Sequence, residues 1–364
     1  MKKIKTVTMQ DIAKHAKVSV ATVSRVLNTP SKTSIFTRNK VDKAIAELDY
    51  DTKALIKPYD MVHHSKKILV IDNQYLARGM INRGIEHKAY ELGYKLLYLR
   101  FLFFTQEEIQ QIITYTIHHQ IEGIILINDC PYLEQFEQYR EALPPVILLN
   151  HYSRYFSCVY FDHLSIAYQA TDYLIKQGHK HIACLIGLPE KQSTHYLVEG
   201  YQLALKHASI NQNSAYLHYQ CVDFYSAQSL FKSLSQQPIM PTAIFCYDNC
   251  CLNYHDQYQM SSYQNNDTPT YTDENSIING LLSQAKKQRY MIPQQLSLIA
   301  TLPQINHQTI IEPQVTYMYK PMYQMGQQGL LLLLSLIKKQ TKQYQSIIIN
   351  NDMIIRHSVA NKNQ

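Results

Sequence analysis

Residues 6–28 read TVTMQDIAKHAKVSVATVSRVLN, and this stretch decides the fold of the N-terminal part of the chain. Thr8 is placed to cap a helix, with Asp11 at the third helical position as its carboxylate partner. Apolar side chains then recur at helical spacing, at Ile12, Ala13 and Ala16. Lys17 is predicted to end this first helix, so that the chain turns sharply before the next one.

A second short helix is predicted directly after the turn, with Ser19 as its cap. Its inward face consists of Val23, Val26 and Leu27. Two such helices joined by a turn of roughly three or four residues form a helix-turn-helix. A third helix, predicted to be capped by Thr37, packs on the first two through Val41, Ala44, Ile45 and Leu48. Residues 1–50 are therefore predicted to form a three-helix head.

The exposed side of the second helix suggests a chemistry for this head, because such a helix fits the major groove of DNA. Val20 and Ala21 are suited to contact thymine methyl groups, and Arg25 is suited to pair with guanine or to bind a phosphate. The further candidate DNA-binding residues, mostly suited to phosphate oxygens, are Thr8, Ser19, Thr22, Ser24, Asn28, Thr29, Lys32, Thr37 and Arg38. The alternative for the hydroxyl side chains is helix capping, and for Arg25 it is a surface ion pair.

The distribution of charge supports a polyanion as the ligand of the head. Residues 1–67 carry 14 Lys and Arg against 6 Asp and Glu, whereas the rest of the chain carries 21 against 22. A basic head on a nearly neutral body is typical of a nucleic-acid-binding module attached to a regulatory domain. The alternative is a solvated basic tail, and the apolar patterning of the three predicted helices argues against it.

The rest of the chain alternates between strands and helices. Apolar strands are predicted at 68–71, 95–99, 123–128, 145–150, 181–187, 242–248 and 296–302, with helices at 80–92, 106–119, 166–177 and 196–208. Short apolar strands separated by helices indicate parallel α/β sheets. We expect residues 67–364 to form a two-lobed, doubly wound parallel-sheet body whose ligand cleft lies at the carboxyl ends of the strands.

The head and the body both resemble the LacI/GalR family. The family signature V-S-x-x-T-V-S-R-x-L-N is unbroken over residues 18–28. Later stretches also follow the family pattern, among them RGIEHKAYELGY at 83–94, THYLVEGYQLALKHASI at 194–210 and IPQQLSLIA at 292–300. The resemblance implies a periplasmic-binding-protein-like body and a homodimer that represses transcription from near-palindromic, double-stranded operator DNA. It also implies that Val20, Ala21 and Arg25 read bases.

Within the family, the likeness is to members that cytidine releases from DNA and that cooperate with the cAMP receptor protein. The family's effector motifs are, however, altered in this sequence. The Arg of R-L-x-G-aromatic is replaced by Leu197, residues 300–302 read ATL in place of G-aromatic-D, and Ala77 and Arg78 stand where the family has an aromatic pair. Only Asp162 and Asp248 remain as candidate effector-binding residues.

Losing a charged partner costs a binding site about 1.5–3 kcal/mol. We therefore expect the response to cytidine, or to any nucleoside effector, to be weakened or lost. The alternative is that a shifted alignment hides compensating residues.

Two further segments depart from the family pattern. The linker at 51–66 begins DTKALIKP and lacks the family's Pro-Asn and Arg, and Pro58 would stop a hinge helix within about one turn. We expect this linker to be flexible. Residues 252–279 are polar and without clear periodicity, which indicates an inserted surface loop. A contact with a new partner is the alternative for that loop.

Other function classes find little support. The apolar run at 329–337 is too short to span a bilayer, and the opening residues MKKIK lack the apolar core of a secretion signal. Seven cysteines at irregular spacing indicate reduced thiols, so we expect a cytoplasmic protein. The set Cys246, Cys250, Cys251 and His255 matches no zinc pattern, and no nucleotide-binding or catalytic motif occurs. No cofactor, metal or enzymatic activity is expected. The rival reading is a nucleoside- or sugar-binding protein without DNA function.

Overall fold

The computed structural model describes residues 8–28, 33–48, 66–72, 79–100, 106–127, 133–140, 143–247, 277–302, 312–339 and 343–363. Contacts divide the chain into two compact units, Met1–Asp60 and Met61–Gln364. The predicted linker at 51–66 lies outside the described residues except for Lys66. So does the predicted insertion up to residue 276.

The head consists of three helices, α1 (Met9–Ala16), α2 (Val20–Asn28) and α3 (Ile35–Glu47). Its core is formed by the apolar faces predicted from the sequence, with Ile12, Val23 and Val41 fully buried. Ile45 and Leu48 pack against this core from a partly buried position. The core is small, so the structure of the head also depends strongly on the caps at the ends of its helices.

The predicted boundaries of α1 and α2 are confirmed by their caps. The Thr8 side chain accepts the backbone N–H of Asp11, and the Asp11 carboxylate accepts the backbone N–H of Thr8 at 2.8 Å, which completes a capping box. Lys17 ends α1 in the left-handed region, with φ 54. The Ser19 hydroxyl then accepts the backbone N–H of Thr22 at 3.0 Å and caps α2.

The predicted cap of α3 is wrong by three residues. Ser34, not Thr37, is the N-cap residue, and its hydroxyl accepts the backbone N–H of Thr37. Thr37 lies in the first turn of the helix, where its own hydroxyl oxygen is 2.8 Å from that of Ser34. Ser and Thr are both good caps, and a sequence with two of them three residues apart does not show which one begins the helix.

The first lobe of the body is a six-stranded parallel sheet covered by helices. Before the chain first passes to the second lobe, the elements of the first lobe are β1 (Lys67–Asp72), α4 (Met80–Leu92), β2 (Lys95–Arg100), α5 (Gln106–His118), β3 (Gly123–Ile127), α6 (Leu133–Gln138), β4 (Val146–Leu149) and β5 (Ser157–Phe161). A later strand, β11 (Ser346–Ile349), completes the order β11-β5-β4-β3-β1-β2. All the pairs in this sheet are parallel.

The second lobe repeats this plan. Its elements are α7 (His163–Lys176), β6 (Ile182–Leu185), α8 (Gln192–His207), β7 (Leu217–His218), α9 (Phe224–Ser235), β8 (Ala243–Cys246), α10 (Ile277–Lys287), β9 (Ser297–Leu302), β10 (Thr316–Tyr319) and β12 (Met353–Ile354). The strand order is β12-β10-β9-β8-β6-β7, parallel except for the pair between β10 and β12. The predicted α/β fold, with a helix-turn-helix head before a two-lobed parallel-sheet body, is confirmed.

The predicted apolar strands correspond to β1, β2, β3 and β4 of the first sheet and to β6, β8 and β9 of the second, whereas β5, β7, β10, β11 and β12 were not predicted. β3, β4, β6 and β8 are buried along their whole length, as strands covered by helices on both faces must be.

The predicted end of the polar insertion, residue 279, is wrong, because α10 begins at Ile277. Ile277 and Ile278 are buried there, and the apolar face of the helix explains why the insertion ends earlier.

Within the residues that the structure describes, the chain passes between the two lobes three times. It leaves the first lobe after β5 and enters α7 of the second. It returns after β10 into α11 (Met322–Lys339), which packs on α4, β3, β4 and β5. It leaves the first lobe again between β11 and β12. The first two crossings lie at residues 162 and 320. Side chains at these positions therefore lie where one lobe meets the other.

None of the helices in the described part of the chain combines the length and the apolar character needed to cross a membrane.

Helices α7 and α8 approach closely at Gly200. A Cβ atom added there would overlap the carbonyl oxygen of Leu164 on α7. Glycine is therefore required for contact at this point, although alanine is the better helix former.

We expect Gly200→Ala to lower the free energy of unfolding by about 1–3 kcal/mol, because the added methyl group must push two helix backbones apart. Gly187→Ala is the matched control, since a Cβ there has no neighbour closer than 3.9 Å. Chemical denaturation of both variants checks the expectation. Equal stability of the two would contradict the tight helix contact.

Candidate nucleic-acid interface and interlobe cleft

Helix α2 has one buried side and one exposed side. Val23 and Val26 lie in the core of the head, whereas Ala21 and Arg25 are exposed and Val20 retains 41% of its accessible surface. Ala21 and Arg25 are four residues apart, so they lie on the same side of the helix. The structure thus leaves all three predicted base-reading residues accessible, with Val20 and Ala21 in the first turn of α2 and Arg25 in its last turn.

The hydroxyl residues around this surface have structural roles as well. Ser19 and Thr22 are linked through their hydroxyl groups at 2.8 Å, in addition to the backbone cap. The Thr8 hydroxyl donates to the Asp11 carboxylate at 2.6 Å. Ser24, Thr37 and Arg38 are half-buried in the same head. The capping alternative therefore applies to Ser19 and Thr8, and a phosphate contact by either stays a prediction.

Three of the predicted DNA-binding residues are described only in part or not at all. Asn28 is the last residue of α2, and the position of its side chain lies outside the description. Thr29 and Lys32 lie outside the described residues altogether.

An exposed ion pair connects the ends of two helices of the head. His15 near the end of α1 lies 2.7 Å from the carboxylate of Glu47 at the end of α3, and Lys43 lies 3.7 Å from the same carboxylate. The hydrogen bond from His15 is the main cause that holds the pKa of Glu47 below its ordinary value. The pair connects helices that are distant in sequence and contributes to the angle between α1 and α3.

This pair predicts a pH dependence of the head. A carboxylate with a lowered pKa stabilises the fold above its ordinary pKa of 4.5, and the contribution disappears as the pH falls below that value. We expect Glu47→Gln to remove this part of the acid sensitivity. Hydrogen exchange of α1 and α3 in the full chain, followed from neutral to acid pH, measures it.

Asp42→Asn is the control for that measurement, because Asp42 is an exposed carboxylate on the same helix. If Glu47→Gln and Asp42→Asn gave the same pH profile as the native chain, the contribution of the ion pair would be refuted.

The body contains a cavity of about 310 Å³ between its lobes. Its lining residues come from the ends of β4, β5 and β11 and from the beginnings of α7 and α8: Asn150, His151, Tyr152, Tyr160, Phe161, Asp162, His163, Leu164, Gln192, Ser193, Tyr196 and Ile348. The rings of Tyr152 and Tyr160 are 5.1 Å apart. The cavity is thus at the carboxyl ends of parallel strands, as predicted, and its walls are rich in aromatic rings.

The two predicted effector-binding residues have different positions. Asp162 lines the cavity, and its carboxylate also caps α7 by accepting the backbone N–H of Ser165 at 3.0 Å. Asp248 lies outside the described residues, directly after the buried Tyr247.

The positions that depart from the family motifs are buried and apolar. Leu197 has no accessible surface and belongs to the main apolar cluster of the body. Ala300 is fully buried and Leu302 nearly so. Ala77 and Arg78 lie outside the described residues. At residues 197 and 302, therefore, buried apolar side chains stand where the family motifs would supply charged groups.

Sequence reasoning missed the aromatic and amide side chains of the cavity. Tyr152, Tyr160, Tyr196 and Gln192 belong to no motif, and tyrosine is so frequent here, at 29 residues, that none of them is conspicuous. The useful signal was position, because residues 150–152 directly follow a buried apolar strand. A search of strand ends would have found Tyr152.

Gln192 connects the two lobes at the wall of the cavity. Its side-chain carbonyl accepts the backbone N–H of Tyr152 at 3.2 Å, and its side-chain amide donates to the backbone carbonyl of Tyr152 at 3.3 Å. Gln192 begins α8 of the second lobe, and Tyr152 lies between β4 and β5 of the first.

A second polar cluster lies at the crossings. Lys320 is 1% exposed and donates to the Tyr247 hydroxyl at 2.9 Å, and that hydroxyl lies 3.3 Å from Nδ1 of His163. The Lys320 ammonium nitrogen is also 5.7 Å from the ring centre of Phe161, at the end of β5. Residues of both sheets therefore meet around one buried cation.

Two other constellations have plainer explanations. His179 is buried and forms hydrogen bonds with Thr242 and with the carbonyl of Ala360, and burial lowers its pKa, so it has a structural role. Of the possible metal set, only Cys246 is described, and it is buried in strand β8. The described residues include no group of three or more His, Cys, Asp or Glu that could hold a metal ion.

Comparison with known protein families gives two matches along the chain. Residues 8–53 match the model for bacterial regulatory proteins of the lacI family. Residues 79–357 match the model for periplasmic binding proteins and the sugar-binding domain of the LacI family. The chain belongs to the LacI family. It is a DNA-binding transcription regulator with a helix-turn-helix head and a periplasmic-binding-protein-like body.

Individual relatives of this LacI-family member extend over the whole chain. It is 32% identical to the HTH-type transcriptional repressor CytR of Escherichia coli K12, over 96% of each chain. It is 25% identical to the NTD biosynthesis operon regulator NtdR of Bacillus subtilis, over 96% of this chain and 99% of the relative. Among solved structures, the complex of the regulator CelR with cellobiose aligns with a TM-score of 0.65 at 19% identity, covering 97% and 99%. The last comparison supports the fold alone.

Proposed function

We propose that the protein is a cytoplasmic repressor that binds operator DNA as a homodimer and has a weakened or lost response to cytidine. The observation that carries the proposal is the two-sided helix α2, with Val23 and Val26 buried and with Val20, Ala21 and Arg25 accessible. An exposed Arg four residues after an exposed small side chain suits a guanine next to a thymine methyl group.

The charge of the head supports DNA as the ligand. The surplus of positive charge in residues 1–67 belongs to the same segment as α2, whereas the remainder of the chain is nearly neutral. Each phosphate neutralised by a Lys or Arg releases counterions from DNA. Affinity for DNA should therefore fall steeply with salt, with a slope set by the number of phosphate contacts.

The effector proposal is supported by the cavity and its surroundings. Leu197, Ala300 and Leu302 are buried and apolar where the family motif has polar groups or glycine. Asp162 remains at the cavity, although its carboxylate also serves as the cap of α7. A neutral nucleoside would therefore find aromatic walls but fewer hydrogen-bonding groups than the motif would provide.

The regulation that we propose is operator occupancy assisted by a protein partner instead of release by a nucleoside. The cAMP receptor protein, which the family resemblance implies, is the candidate for that partner. The bacterial chromosome lies in the cytoplasm, which is the reason for placing the protein there.

We expect Arg25→Ala to weaken operator binding about 5- to 150-fold, which corresponds to the loss of about 1–3 kcal/mol for one bidentate base contact. The operator is first selected from genomic DNA, and affinity is then measured by fluorescence anisotropy at several salt concentrations. Loss of specificity at one base pair with an unchanged salt slope would indicate a base contact. A slope reduced by about one would indicate a phosphate contact.

Arg83→Ala is the matched control, because Arg83 is an exposed arginine on α4 of the body. Its affinity for the operator should equal that of the native protein. Unchanged affinity of the Arg25→Ala variant, in a chain that melts like the native one, would refute the proposed reading of DNA by α2.

We expect calorimetry to detect no cytidine binding in the micromolar range. The two lost charged partners, the Arg and the Asp of the family motifs, together weaken binding by about two to four orders of magnitude if their effects add, since about 1.4 kcal/mol corresponds to a factor of ten. The repressor CytR of Escherichia coli, measured in parallel, is the reference. Binding of comparable affinity by both proteins would contradict the proposed loss of response.

A further inference from the structure

We propose that Gln192 fastens the two lobes together, so that the arrangement competent for operator binding persists without any ligand in the cavity. The inference concerns the regulation of the proposed repressor, so its DNA readout rests on that proposed function. Its structural basis is the double hydrogen bond between the side chain of Gln192 and the backbone of Tyr152.

The geometry of this contact makes it specific. A primary amide offers a donor and an acceptor in one plane, and Gln192 uses both on the N–H and the carbonyl of a single residue. Two bonds to one peptide backbone fix orientation as well as distance. A side chain with only one of the two groups would allow rotation about the remaining bond.

The contact also crosses the boundary at which the body would open. Gln192 belongs to α8, which connects β6 and β7 of the second sheet, and Tyr152 lies in the connection from β4 to β5 of the first sheet. Separation of the lobes at this side breaks both hydrogen bonds at once. Both residues line the cavity, so a ligand that entered there would meet the fastening directly.

A second contact holds the lobes at the crossings. Lys320 donates to Tyr247, which follows β8 of the second sheet, and its ammonium faces the ring of Phe161 in β5 of the first. The ring of His163 lies edge-on to those of both Phe161 and Tyr247. The Gln192 contact would therefore close a cleft whose hinge side is already ordered by these residues.

The expected size of the effect follows from the two bonds. Replacing a pair of neutral hydrogen bonds shifts an equilibrium between closed and open lobes by about 5- to 150-fold. Closure in the native chain would then need no ligand, whereas in most two-lobed binding proteins a ligand supplies that free energy.

The experiment compares the full-length native protein with Gln192→Ala and Gln228→Ala. Gln228 is the matched control, because its amide donates to Ser283 at 3.2 Å within the second lobe only. Three quantities are measured without added ligand: the hydrogen exchange of the Tyr152 amide, the radius of gyration by small-angle X-ray scattering, and the affinity for the selected operator.

For Gln192→Ala we expect faster exchange at Tyr152, a larger radius of gyration and operator affinity lowered about 5- to 150-fold, with no change for Gln228→Ala. Gln192→Glu should have an intermediate effect, since a carboxylate can still accept the Tyr152 N–H but cannot donate to the Tyr152 carbonyl. Unchanged scattering, or opened lobes with unchanged operator affinity, would overturn the inference. A native chain without any operator affinity would refute the proposed function instead, and scattering would still decide whether Gln192 holds the lobes.

Discussion

Parallel pairing within each sheet is the constraint on which the body depends. Parallel strands cannot be joined by tight turns, so most connections here travel back across a face of the sheet as helices, whereas residues 150–156 join β4 to β5 without a helix. The strands are consequently buried on both sides, which explains why β3, β4, β6 and β8 are apolar throughout. The carboxyl ends of β4, β5 and β11 lie at one edge of the first sheet, and the cavity lies there.

The sequence predicted those parts of the structure whose cause is local or repetitive. The capping box of Thr8 and Asp11, the end of α1 at Lys17 and the buried side of α2 follow from spacing alone, and the structure has all three. Long apolar runs likewise identify β1, β3, β4, β6, β8 and β9, but not β5 and β10, which also lie inside their sheets. The short edge strands β7 and β12 have two residues each, too few for a periodic pattern to reveal them.

The candidate sites also differ in whether a local stretch of sequence reveals them. The DNA-binding surface is contained in one helix, so its residues are visible in one stretch of sequence. The interlobe contacts are not, because Gln192 and Tyr152 are 40 residues apart and Lys320 and Tyr247 are 73 apart. Which side chains meet there depends on two sheets and the chain crossings between them, and no local pattern encodes that distance. Thr37 shows a smaller ambiguity, since two hydroxyl residues competed for the same cap and only the folded helix distinguishes them.

The close contact at Gly200 has a mechanical consequence for the cleft. Because no side chain separates α8 from Leu164 of α7, the backbones of the two helices are in direct contact here, and we expect the helices to move together. Gln192 lies at the beginning of α8, and Asp162 and His163 lie at the beginning of α7. A displacement of one of these helices at the cavity wall would therefore also displace the other, at the point where the chain first passes between the lobes.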